Sequence, residues 1–151
     1  MRHLALIVST AVVCLFYSTV YAQETTAAAL LAINKKMVKH MDILKDMRKG
    51  VRPDDRFNVD QMWAVVLQKG LEANAITDLL IIREKMLNQG DRETVNDVFT
   101  NHKILFADSC NESIKYLNVM IGSAQSPGLA LEGEHLRGDI MAVCDRVRSI
   151  K

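Results

Sequence analysis

The chain has 151 residues, of which 49% are hydrophobic and 25% charged, with 19 basic against 18 acidic side chains and a formal net charge of +1. Such balance argues against a nucleic-acid-binding protein, which needs a basic surface for phosphates, and no lysine cluster suggests docking to anionic lipid. The length is enough for one domain with its own core.

The first residues read as a leader. Met1-Arg2-His3 is a short positive segment, followed by an apolar run from Leu4 to Phe16 broken only by Ser9 and Thr10. The run covers about 13 residues, against the ~20 that a transmembrane helix needs. Val20-x-Ala22 ahead of Gln23 fits a signal-peptidase site. The expectation is therefore a signal peptide over 1–22, and a single exported domain over 23–151 in the periplasm or outside the cell. No stable membrane insertion is expected after cleavage. Cys14 would leave with the leader, and Val13 before it is wrong for lipid attachment. Arg2 would leave too, so the mature chain is formally neutral. Cys110 and Cys144 remain, and one leftover pair in an exported protein points to a disulfide.

From Glu24 to Lys49 the apolar residues Leu30, Ile33, Met37, Met41, Leu44 and Met47 recur every three or four positions, one face of a helix. Gly50 ends it, and Val51 to Asp55 reads as a turn around Pro53. Asn58 or Asp60 can cap a second helix running to Asn88, with a kink or a break expected at Gly70. Asn88-Gln89-Gly90 is the next stop, and Asp91 can cap a third helix reaching about Gly122. The fourth is expected from about Leu129. Its apolar line of Leu129, Gly133, Leu136, Ile140, Val143, Val147 and Ile150 alternates gaps of four and three, the spacing of knobs-into-holes packing.

Cys110 and Cys144 lie equally far in sequence from Pro127, one on each side. If both arms are helical and turn back at Gln125-Ser126-Pro127-Gly128, each sulfur lies roughly 25 Å from the turn. The two thiols then meet at one height on antiparallel neighbours, where a disulfide can close. The fold expected is all-α: an up-down four-helix bundle stapled by Cys110–Cys144, or five helices if the second breaks at Gly70.

Catalytic patterns are absent from the sequence. It holds no Gly-x-Ser-x-Gly, no Cys-x-x-Cys and no glycine-rich phosphate loop. Met37, His40 and Met41 share part of one helical face, and with His102 they are the residues a non-covalent haem or copper site would draw on. Core-filling methionines and edge histidines are the plainer reading of the same residues. Glu132-x-x-His135 is half of a di-iron motif whose other half is missing. Asn111-Glu112-Ser113 matches the N-glycosylation pattern but falls in a predicted helix, and reads as coincidence.

Trp63 is the one tryptophan, and Arg52, Asp54, Asp55, Arg56 and Phe57 form the most charged connection close to it. A charged loop beside a large aromatic is where a protein partner is expected. The function expected is protein–protein binding by an exported bundle, as an inhibitor, an immunity-type protein or an adaptor, with no cofactor. The alternative is a haem or copper carrier.

Overall fold

The computed structural model describes the backbone of residues 2–86 and 88–150 and the side chains of residues 26–86 and 88–150. Four α-helices follow one another: α1 Arg2–Gly50, α2 Pro53–Lys85, α3 Gln89–Ser123 and α4 Pro127–Ser149. The connections are very short, which forces consecutive helices to run antiparallel. α1 packs on α2 and α4, and α3 packs on α2 and α4; α2 also touches α4 across the centre. Among the described residues α1 does not touch α3. The result is the up-down four-helix bundle read from the sequence, with α2 and α4 on its shorter diagonal.

The core is aliphatic and runs the length of the bundle. Leu30, Met37 and Leu44 come from α1, Val59, Met62, Val66, Ile76 and Leu80 from α2, Phe99, Phe106 and Leu117 from α3, and Leu129, Leu136, Ile140, Val143 and Val147 from α4. The α4 line is buried along its whole length, Gly133 included. Gly133 has no side chain because there is no space for one. A Cβ there would stand 2.6 Å from Ile121 Cγ1 and 2.8 Å from Met62 Cε. The bare backbone lets α4 approach α2 and α3 at once.

The α3–α4 hairpin is closed by the Cys110–Cys144 disulfide, with Cα atoms 6.1 Å apart and a sequence separation of 34. Both cysteines are wholly buried. Equal spacing about the turn does bring the two sulfurs together.

Three boundaries differ from expectation. α2 begins at Pro53, not at Asn58 or Asp60. Proline suits the first helical position, where its missing N–H costs nothing and its fixed φ is already helical, and Asp54 and Asp55 follow at the positive end of the helix dipole. α2 also runs through Gly70 without a break, so the described residues hold no fifth helix. Gly70 sits against Asn34 of α1, whose Oδ1 would lie 3.1 Å from a Cβ there. Asn34 donates its amide to Asn74 across the seam, and tertiary contact outweighs the ~1 kcal/mol that a mid-helix glycine costs. Finally, α3 is capped by Asn88, not Asp91: the Asn88 Oδ1 accepts from the Asp91 N–H at 3.0 Å. Gly90 therefore lies inside the first turn.

The expected leader has a helical backbone continuous with α1 from Arg2 onwards; its side chains, Cys14 among them, lie outside the described residues, as does Leu87. On α1 the Thr26 hydroxyl faces the Arg146 guanidinium of the last turn of α4 at 3.4 Å. No described helix is long and apolar enough to cross a membrane.

Two predictions follow from the packing. Reducing the disulfide, or replacing both cysteines by serine, should lower unfolding free energy by about 3–4 kcal/mol from loop entropy alone, read from urea curves with and without reductant. Gly133→Ala should destabilise by about 1–3 kcal/mol through overpacking. Gly138→Ala meets nothing within 4 Å and should stabilise by about 0.5–1 kcal/mol; equal melting shifts for the two would refute the close-approach account.

Candidate functional site

The charged stretch before Trp63 is not a loop but the first turn of α2, and the helix sorts its side chains by direction. Arg52, Asp54 and Arg56 face solvent, and Phe57 is 68% exposed. Asp55 turns inward and is fully buried, so it presents nothing to a partner. Its carboxylate accepts from the Gln125 N–H at 2.8 Å and from the Ser126 hydroxyl. It thereby ties the start of α2 to the α3–α4 turn. Ser126 is the N-cap of α4 by position, yet its side chain makes no cap bond; its hydroxyl is given to Asp55 instead. The Ser126 hydroxyl, and after it the Gln125 amide, hold the Asp55 carboxyl below the ordinary carboxylate range.

Trp63 stands at a cleft of about 320 Å³ between α1 and α2. Leu44 and Val59 form its buried floor. Trp63, Lys45, Arg48 and Asp60 form its walls. Arg48 and Asp60 make a two-pronged pair, Nε to Oδ1 at 2.5 Å and Nη2 to Oδ2 at 3.0 Å. Each holds the other in its charged form: the hydrogen bond to Asp60 raises the guanidinium pKa, and that from Arg48 lowers the carboxyl's. The pair is solvated and contributes little to stability, but it props both walls in place. Phe57, Asp60 and Trp63 step round α2 by about 60° at a time, so the two aromatics flank the ion pair. Trp63 is 37% exposed, and among the described residues its indole N–H has no acceptor. A large ring that is half in the core and half in solvent, beside an arginine, has the composition of a binding hot spot.

The four Met and His residues of the carrier reading do not converge. Met37, 1% exposed, and Met41 line one groove between α1 and α2, which neither histidine joins. His40 is buried and points at α4, where Nδ1 meets Glu132 Oε1 at 2.6 Å and Nε2 meets Asp139 Oδ2 at 3.1 Å. Both ring nitrogens therefore lie against carboxylates of α4. Lys36 lies 3.6 Å from the far oxygen of Asp139. His102 is on α3, the helix that α1 does not touch, with Nδ1 2.9 Å from its own helix's Val98 carbonyl. Glu132 serves His40, while His135 is exposed. Among the described residues no group of three or more His, Cys, Asp or Glu could hold a metal ion. Asn111 of the sequon is exposed and accepts from Arg148 at 3.1 Å, while Ser113 is buried with its hydroxyl bonded back to the Ser109 carbonyl.

Sequence reasoning missed Lys69. It carries no solvent exposure at all. Its ammonium bonds Glu72 Oε2 at 2.6 Å and the Ser109 hydroxyl, and lies 4.9 Å from the centroid of the Phe106 ring. A buried cation persists only with such partners. These same residues border a second and larger cleft, of about 550 Å³, between α2 and α3. Leu71, Ala75 and Leu105 stand at its edge, Ile76 and Phe106 lie beneath, and Glu72, His102 and Ser109 supply its polar atoms.

No protein-family model matches the sequence, and no curated protein and no solved structure matches the chain.

The Asp55 clasp has a pH signature. Because folding lowers this carboxyl's pKa, its stabilisation is complete above the unfolded value of about 3.9 and is lost as pH falls through the lower folded value. Asp55→Asn should therefore lower the urea midpoint at about pH 6, and the gap to the parent chain should narrow by about pH 2.5. A gap that stays constant between those two values would show that the carboxylate charge has no part in the clasp.

Proposed function

We propose that the chain works after export as a protein-binding module, and that the Trp63 cleft is its contact face. Export is carried by the leader pattern, and the closed disulfide suits the oxidising compartment that such a leader implies. The observation that carries the binding reading is the composition of the face. A half-exposed tryptophan and a 68% exposed phenylalanine flank a two-pronged Arg48–Asp60 pair over an apolar floor. Aromatic and arginine anchors above a small pocket are what partner side chains pack into, and the surrounding Arg52, Asp54 and Arg56 form a polar rim. Such a face on a disulfide-closed bundle suits an inhibitor, an immunity-type protein or an adaptor.

The face can be tested with photo-crosslinking side chains placed at position 57 and, as a control, at Lys115 on α3. Position 57 should give a discrete adduct with a protein of the exported fraction, and Lys115 should not. Trp63→Ala should weaken binding of that purified partner about 30-fold or more, which corresponds to ≥ 2 kcal/mol at a hot spot. Partner binding should also shift the single tryptophan's emission to the blue. Adducts that are equal at both positions, or a Trp63→Ala variant that binds as the parent does, would reject the assignment.

A further inference from the structure

The cleft between α2 and α3 has no part in the Trp63 face, and its chemistry points to a small ligand. Its volume, about 550 Å³, falls in the range of small-molecule sites, ~300–1,000 Å³. Leu71 and Leu105 are 61% and 67% exposed and form its lips, while Ile76 and Phe106, 1% and 2% exposed, form its floor. Its polar atoms come from Glu72, His102 and Ser109. Each of them is left as an acceptor.

At Glu72, Oε2 takes the Lys69 ammonium at 2.6 Å, and Oε1 holds only the Gln68 amide at 2.8 Å, which leaves it a lone pair. At His102, Nδ1 lies 2.9 Å from the Val98 carbonyl. A carbonyl only accepts, so Nδ1 is the donor, and in the Nδ1–H tautomer Nε2 is an acceptor. The Ser109 hydroxyl accepts from Lys69 and has its one proton directed at the Phe106 carbonyl, 2.9 Å away, or at Glu72, 3.2 Å away. Lys69, whose ammonium is held by Glu72, Ser109 and the Phe106 ring, has no solvent exposure, so a ligand cannot reach it.

We propose that this cleft binds a small amphiphilic amine, its apolar body between Leu71 and Leu105 and its ammonium at Glu72 and His102. A carboxylate of the same body meets acceptors only and is rejected. Binding here is independent of the Trp63 face, and failure of one leaves the other standing.

The test uses three probes with one alkyl chain, octylamine, octan-1-ol and octanoate, titrated into the full-length mature chain and followed by methyl and imidazole NMR. Octylamine should give saturable shifts confined to Leu71, Leu105 and His102, with an affinity at least tenfold above octanoate and with octanol between them. Leu71→Ser and Leu105→Ser alter exposed side chains, so the fold is kept, and each should weaken octylamine at least fivefold. His102→Lys should narrow or invert the preference for amine over carboxylate. Octanoate binding as well as octylamine overturns the proposal, as do shifts scattered over the whole surface. So does a dimer in sedimentation that Leu71→Ser dissolves, since the cleft then belongs to a second copy of the chain.

Discussion

The bond between Cys110 and Cys144 sets the geometry to which the other contacts conform. It joins α3 to α4 at one height and so removes the freedom of two antiparallel helices to slide past each other. Once their relative height is set, the Gln125–Ser126 turn is held at one end of the hairpin, where Asp55 can reach both its amide and its hydroxyl. The α2 helix is thereby registered against the hairpin. Gly133 then lies opposite Met62 and Ile121, where three helices meet.

The remaining seams are registered by polar contacts, not by shape alone. Leucine, valine and methionine pack acceptably at several heights along a helix, and an aliphatic core by itself specifies register weakly. A buried polar group is less forgiving, because a slip of one turn would leave it without its partner. Asn34 with Asn74 registers α1 on α2, and His40 between Glu132 and Asp139 registers α1 on α4. Lys69 with Ser109, and Asn58 with Ser123 at 3.1 Å, register α2 on α3. Each contact costs desolvation, and a wholly apolar pair would be no less stable in place. What it confers is a preference for one alignment.

That alignment also decides what is left at the surface. The inward turn of Asp55 leaves Phe57 outward on the same helix, and a wall of the Trp63 cleft is completed by Arg48 from the neighbouring one. Likewise the burial of Lys69 takes a cation out of the α2–α3 cleft and leaves its mouth lined by leucines and acceptor atoms. Both clefts lie over seams between helices, where side chains of two elements diverge and cannot close the gap.

Periodicity, turn residues and cysteine spacing were sufficient to specify four helices, their order and the staple, because those depend on neighbours a few residues apart or on a symmetry about one turn. The α4 line from Leu129 to Ile150 is buried as its gaps of three and four required. The start of α2 was misread because Pro53 signals a turn and a first helical residue equally well, and the break at Gly70 because the glycine's partner, Asn34, belongs to another helix. The direction of the polar side chains was beyond local reading altogether. Hydrophobic period assigns charged residues to solvent, whereas Asp55, Lys69 and His40 face inward toward groups 70, 40 and 92 residues away. Only the folded chain brings such partners within hydrogen-bond reach, and that reach makes burial of a charge tolerable.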